Sequence, residues 1–226
     1  HMQIHCPGCS RTRSLPKKTR RKKKPRIRDR EKLRILEKVY VDLVGPRRVP
    51  SLWYRGERGN QCAGGNLYAV TFVDAKSNRL FVHYIRNKDD LEDCVELARA
   101  AMEIEALRSV DYVGQPIKVM MFVSDRDSNL TSDAAVAAML RERMLHRMTA
   151  ADQKNQTPLL DGMIRRVLDI TRSNLDSSGL GREYWELAMR HAVQVVNETA
   201  TREHKCKHSA MHRWSGVAPD MDVLRT

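Results

Sequence analysis

The sequence predicts an α/β fold in which a five-stranded mixed sheet is flanked by helices. Three observations predict it. Residues 39–85 hold three short runs rich in Val, Tyr, Phe and Leu, residues 88–104 switch to apolar positions at helical spacing, and a further apolar run at 117–123 is followed by more helical periodicity. At 226 residues the chain has room for one core of about 150–180 residues plus extensions.

Each element follows in order. Val39-Tyr40-Val41 opens a strand over 39–44, apolar enough to lie inside the sheet, and a Gly/Arg/Pro-rich insertion at 46–65 separates it from strands at 67–73 and 80–85. Residues 88–104 read as a helix, with Leu91, Cys94, Val95, Leu97, Ala98, Ala101 and Met102 apolar. A buried-looking strand at 117–123 comes next, then a helix at 132–145 carrying Ala135, Val136, Ala138, Met139 and Leu140, a short strand at 146–149, and a helix whose first turn contains Asp161. Strand-strand-strand-helix-strand-helix-strand-helix is the order of the ribonuclease-H-like fold, in which the first and fourth strands are neighbours. Asp42 on the first and Asp125 at the end of the fourth are thereby expected side by side.

Asp42, Asp125 and Asp161 are the candidate catalytic residues. A phosphodiester is negatively charged, and two Mg2+ or Mn2+ ions about 3.5–4 Å apart can neutralise it, activate an attacking hydroxyl and stabilise the leaving oxygen. Carboxylates are the hard ligands that suit such ions. The expected division gives Asp42 the bridging position, Asp125 one ion and Asp161 the other. Taken singly, each acid has a plainer explanation: Asp42 as a residue at the edge of a strand, Asp125 in a turn, Asp161 at the positive end of a helix. The joint placement on two strand ends and a later helix is what favours a shared site.

Charge is distributed unevenly. Residues 1–30 hold twelve Lys/Arg and one acid, a net +11 of the chain's +13, so residues 31–226 sum to +2. The run from Lys17 to Arg26, with Lys22, Lys23 and Lys24 at its centre, suits phosphate attraction or nuclear import, or equally a solvated linker. Five cysteines at 6, 9, 62, 94 and 206 do not form a disulfide framework, and no apolar stretch approaches the ~18–20 residues of a membrane helix. A soluble, intracellular chain with no membrane partner is expected. Cys6-Pro7-Gly8-Cys9 supplies two of the four ligands of a structural zinc site, with only His1 and His5 before it.

Several motifs now carry a family resemblance. Val41-Asp42-Leu43-Val44-Gly45-Pro46, Tyr68 through Ser77, Ser124-Asp125-Arg126 with Ser128 and Thr131, and the series Leu168, Arg172-Ser173, Leu175, Gly179-Leu180, Tyr184-Trp185, Ala188 and Asn197 occur in order, closed by Ser209-Ala210, Trp214-Ser215-Gly216 and Pro219-Asp220. Over residues 6–225 the chain resembles the integrase of copia-type LTR retrotransposons. The thirty-five residues between Asp125 and Asp161 match the gap between the second and third acids of retroviral and retrotransposon integrases. The family's third acid is usually Glu within an Asn/His-Gly-Val-Ala-Glu-Arg run, whereas here Leu159-Leu160-Asp161-Gly162 stands there, and the second motif has Asp127 and Asn129 where Gly-x-Glu is usual.

The resemblance implies a metal-dependent strand transfer that joins 3′ ends of element DNA to target DNA. It also implies double-stranded DNA as partner, a homo-oligomer, and a nuclear location with a cytoplasmic particle stage. Its zinc module carries two histidines well upstream of the Cys pair, so Zn2+ is expected only if those histidines are present, and the chain divides into a zinc-module remnant (1–10), a basic linker (11–36), a catalytic core (37–200) and an extension of that core (201–226). The departures at Asp161 and Gly162 leave open a decayed or host-recruited copy that only binds DNA. Another nuclease or transposase of the superfamily fits the Tyr184-Trp185 and Asn197 pattern less well.

Candidate DNA contacts border the acids. Lys154 lies in the polar stretch 149–157, and Arg165 and Arg172 share nearly one helix face with Asp161, with Arg166 beside them. A solvated helix face explains these arginines about as well. His204, Cys206, His208 and His212 are ligand types in one cluster, but Lys205 and Lys207 would oppose a cation and no distant pair completes a set.

Overall fold

The computed structural model describes residues 32–52, 54–55, 62–125, 140, 144–148, 158–200 and 208–219. Its sheet comprises β1 (Val39–Val44), β4 (Tyr68–Asp74), β5 (Leu80–Ile85), β6 (Met121–Ser124) and β7 (Leu145–Met148), in the order β5-β4-β1-β6-β7. A separate ribbon pairs β2 (Tyr54–Arg55) with β3 (Cys62–Ala63) inside the Gly/Arg/Pro-rich insertion. The helices are α1 (Leu91–Ala106), α2 (Pro158–Ser178), α3 (Trp185–Glu198) and α4 (Ala210–Ser215). β1–β4 and β4–β5 are antiparallel, whereas β1–β6 and β6–β7 are parallel, so the sheet is mixed.

Alternation along the strands sorts side chains onto two faces. Val39 and Val41 of β1 join Val70, Phe72, Phe81 and Phe122 in a core under α1, while Tyr40 joins Ala69, Val73, Leu80 and Val123 in a second core under α2 and α3. Both faces are covered, which is why the central strand starts as an unbroken apolar run rather than an alternating one. Helix α1 buries Leu91, Cys94, Val95, Ala98, Met102 and Ala106, one stripe of a 3.6-residue period. Leu97 belongs to the apolar pattern of the sequence but not to that stripe, and it is 67% exposed.

Asp74, at the end of β4, is fully buried and organises the turn that follows. Its carboxylate accepts from the Leu36 amide (2.9 Å) and from the amide and hydroxyl of Ser77 (both 2.7 Å). Those bonds hold Leu36 at φ 61°, an unusual conformation for a branched residue, with its side chain in the core. The packed unit therefore begins by Ile35, ahead of the boundary at residue 37 drawn from composition. At the other end α4 is stapled to the β4–β5 hairpin: Trp214 meets Phe81 edge-on at 5.4 Å, the Arg79 guanidinium lies 4.8 Å from both rings, and Arg213 donates to the carbonyls of Lys76 and Ser77.

Two elements differ from the expectation. β6 covers Met121–Ser124 rather than 117–123, because the Val119 amide is taken by the Glu103 carboxylate of α1 instead of a neighbouring strand. Leu145 opens β7 rather than closing a helix; the expected helix at 132–145 otherwise falls outside the described residues apart from Leu140, which is helical, and Met144, which is not. No helix among the described residues is long and apolar enough to cross a membrane.

Candidate active site

The parallel pairing of β1 with β6 runs Val39 opposite Phe122 and Tyr40 opposite Val123. Continuing that register by two residues sets Asp42 opposite Asp125. Laterally opposed residues point to the same face, and the face is that of Tyr40 and Val123, the one covered by α2. Helix α2 is anchored there by Leu159, Leu160, Ile164 and Val167, a spacing that leaves Asp161 on its exposed side in the first turn. Two strand ends and one helix start thus turn three acids toward one region.

Their charges act on one another. Burial and the Asp125 charge push the Asp42 carboxyl up to about 6, with Asp161 adding to the rise and the Leu43 amide, which donates to Oδ1 at 2.8 Å, opposing it. Asp161 is also raised, by desolvation first, with the Arg165 guanidinium pulling it down and Asp125 pushing it up. Among the described residues no three His, Cys, Asp or Glu side chains stand close enough to hold one metal ion together. The acids are therefore within electrostatic reach of each other without forming a single three-ligand shell.

Behind Asp125 the fully buried Ser124 donates its hydroxyl to the Asp125 carbonyl (3.1 Å) and stands 2.9 Å from His146 Nε2 on β7, which fixes the backbone where the strand ends. Gly45 ends β1 at φ +143°; a Cβ there would meet the Leu67 carbonyl oxygen and Tyr68 Cδ1 at 2.8 Å. The turn leaving Asp42 thus requires glycine.

The remaining sequence candidates divide. Arg165 lies beside Asp161, Arg166 is exposed, and Arg172 is exposed and bonded to Asp169 at 2.9 Å. Cys6, Cys9, Lys22, Lys23, Lys24, Lys154, His204 and Cys206 lie outside the described residues. His208 and His212 face each other with Nδ1 atoms 3.1 Å apart, so each supplies the other's polar contact.

Of three further features, Glu186 and Arg47 were not singled out from sequence, and Asn197 was named only as a motif position. Glu186 is buried and accepts from Asn66 Nδ2 and Arg190 Nη2, both at 2.8 Å, tying α3 to the segment before β4. Asn197 brackets the edge strand, accepting from the Leu80 amide and donating to the Leu80 carbonyl at 2.8 Å each. Arg47 lies over the Trp185 ring, 5.3 Å from its centroid. The Tyr184-Trp185 and Asn197 motifs flagged the right positions, but nothing in one sequence says what a side chain touches. A cleft of about 520 Å3 beside His83, Arg86 and Glu186 and another of about 410 Å3 between α2 and α3 contain none of the three acids. Asp125 and Asp161 instead stand exposed at the surface, a setting that admits a large substrate.

No family model matches the chain. Over 168 residues, 74% of its length, it is 26% identical to the Retrovirus-related Pol polyprotein from transposon TNT 1-94 of Nicotiana tabacum, and the match spans 11% of that polyprotein. Among solved structures, a chain of the cryo-EM structure of a simian T-cell lymphotropic virus intasome in complex with the PP2A regulatory subunit B56 gamma superposes at a TM-score of 0.53 with 12% identity, covering 82% of this chain and 56% of that one. The sequence similarity is to part of a retrovirus-related Pol polyprotein, and the structural likeness shows the fold, a ribonuclease-H-like mixed sheet flanked by helices.

Proposed function

We propose that this chain is the catalytic core of a copia-type retrotransposon integrase, which joins the 3′ ends of element DNA to target DNA. The observation that carries the reading is the opposition of Asp42 and Asp125 across β1 and β6, with the charge of Asp161 acting on the same spot. In strand transfer the 3′ hydroxyl oxygen forms a new bond to a target phosphorus while the target's bond to its own 3′ oxygen breaks. One phosphodiester replaces another, so no energy donor is needed; the barrier lies in bringing an anion and a nucleophile together.

The Asp125 charge raises the pKa of both Asp42 and Asp161, a sign of excess negative charge, and an all-oxygen donor set fits Mg2+ or Mn2+. Bound divalent ions would supply charge neutralisation and an activated hydroxyl. Asp42 would be shared by the two ions, with Asp125 serving one and Asp161 the other, which asks pairs of acids rather than all three to share an ion. The Leu43 and Ser124 hydrogen bonds hold the first two in place. Arg165, Arg166, Arg172 and, from the polar stretch, Lys154 would grip the backbone of double-stranded DNA, and the basic run around Lys22, Lys23 and Lys24 would add affinity and direct the protein to the nucleus after a cytoplasmic particle stage. Cys6 and Cys9 would be half of a zinc site completed by upstream histidines, and the active form would be a homo-oligomer.

A second reading, a DNA-binding remnant without catalysis, is favoured by Asp161 alone: it reaches one methylene less far than Glu, and about 1 Å of displacement can cost on the order of 100-fold. One assay separates the two, strand transfer with pre-cut element ends in Mg2+ and in Mn2+. Wild type should transfer, Asp42→Asn and Asp125→Asn should fall to background, Asp161→Asn likewise, and Asp161→Glu should rise if reach is limiting. Equal, negligible transfer by wild type, Asp161→Glu and Asp161→Asn with DNA binding intact would leave the remnant reading standing.

A further inference from the structure

Arg47 follows β1 by three residues, and its backbone is fixed by the amide, which donates to the Leu67 carbonyl at 2.8 Å. Its guanidinium lies on Trp185, at the start of α3. Nε and Nη2 of Arg47 are shielded from solvent and have no hydrogen-bond partner, and Nε1 of Trp185 is in the same condition. Three donors on two stacked side chains find no acceptor among the described residues, where a buried donor normally finds one; Arg79 Nε and Trp214 Nε1 share that condition at the α4 end of the molecule. They share one polarity: all donate, none accepts.

The charges around them point the same way. Burial first, and then the charge of Arg172 on α2, hold the Arg47 guanidinium below its ordinary range, with Tyr84 opposing them. The partner of Arg172 is Asp169, in a largely exposed pair of the kind that exchanges readily for another anion. Nearby Glu186 is already occupied by Asn66 and Arg190. Among the described residues, Nε and Nη2 of Arg47 find no acceptor. Nε and Nη2 of Arg47 hold no hydrogen bond among the described residues, so rotation of the side chain can turn that edge toward an arriving oxyanion.

We infer that Arg47, Trp185 and Arg172 form a clamp for a phosphodiester phosphate of bound DNA, outside the catalytic acids. A phosphate offers acceptors only, and the guanidinium fork can take it in two parallel bonds while the Trp185 ring backs the arginine. DNA is favoured over an acidic peptide because the clamp shares α2 with Asp161. Arg172 lies eleven residues along that helix, about 16 Å at 1.5 Å per residue. Such a contact positions the strand and reads no bases. The inference rests on the DNA-joining function proposed above.

The test is binding of a short duplex to the full chain, followed by fluorescence anisotropy across a salt series. Arg47→Gln should weaken binding several-fold for every sequence tried and reduce the slope of log affinity against log salt by about one phosphate's worth. Arg47→Lys should keep the slope but lose part of the affinity, since a point charge replaces the fork. Trp185→Phe should keep a ring under the guanidinium and leave the salt slope unchanged. Thermal melting without DNA should show Arg47→Gln no less stable than wild type; a lower melting point with an unchanged salt slope would make Arg47 a purely structural residue and overturn the clamp. Dependence on Arg47 with polyglutamate but not with duplex would also overturn it, in favour of an acidic protein partner. Failure of strand transfer with Arg47-dependent binding intact would sink the enzymatic reading and leave the clamp, whereas normal transfer with an unchanged slope in Arg47→Gln would do the reverse.

Discussion

Asp42 shows what it costs to gather carboxylates. Its folded pKa, about 6, exceeds its ordinary value of 3.8, so between those values the folded chain binds more protons than the unfolded one. Stability therefore falls as pH rises from about 4 to 6 and stays lower above that. A shift of this size corresponds to roughly 1–3 kcal/mol. Asp42→Asn keeps an oxygen to accept from the Leu43 amide but carries no charge. In EDTA at pH 7.5 it should melt several degrees above wild type, and the fall in stability between pH 4 and 6 should shrink. Mg2+ should raise the melting point of wild type and not of the variant. A variant no more stable than wild type in EDTA would show that Asp42 is not strained by its neighbours. Sequence singled out this acid only through its joint placement with Asp125 and Asp161, since an acid closing an apolar run can be structural, as Asp74 is, and the register then pairs Asp42 with Asp125. Arg47 was illegible for the opposite reason: an arginine in a Gly/Arg/Pro-rich stretch has no pattern, and its orphaned donors exist only once Trp185 is folded beneath it.

Elements were legible where local pattern and tertiary demand agree. β1 and β5 fall where the apolar runs predict, and α1 begins after a single 3-10 turn, Lys88–Asp90, instead of at residue 88. The 117–123 run misled because apolar content marks burial, not pairing: Val119 is buried but bonds to a helix carboxylate. Leu97 misled because periodicity assigns a face only to within a residue or so, and nothing in a single sequence tells which apolar residue is left outside. The two glycines beside the acids make contrasting predictions. Gly45 stands at φ +143° with no room for a Cβ, so Gly45→Ala should cost about 2 kcal/mol and disturb the strand end that carries Asp42. Gly162 has nothing within 4 Å of where a Cβ would lie, and in helix α2 Gly162→Ala should stabilise by up to about 1 kcal/mol. Urea denaturation of both variants checks this; equal effects of the same sign would mean that the two backbone positions are not as different as their dihedrals.

On the scale of the whole molecule, charge and catalytic geometry are separated along the chain. The packed sheet and helices belong to the part that is nearly neutral, +2 over residues 31–226, while the first thirty residues carry +11. A nearly neutral domain with local arginines can orient a strand but attracts it weakly at a distance, whereas a run of cations gains by releasing counterions and reads no sequence. Affinity and positioning should then be separable by deletion. Removing residues 11–30 takes away twelve basic residues and one acid. Binding of a random duplex should weaken strongly at low salt, and the slope of log affinity against log salt should flatten by several phosphates' worth, at about 0.9 per phosphate contact. The residual slope should be the small number contributed by Arg47, Arg165, Arg166 and Arg172, and it should fall further when Arg47→Gln is combined with the deletion. Strand transfer at saturating DNA should survive the deletion, since the acids and the clamp remain. An unchanged slope after the deletion would place nonspecific affinity in the folded core, and the +11 tail would then serve import or solubility instead of DNA.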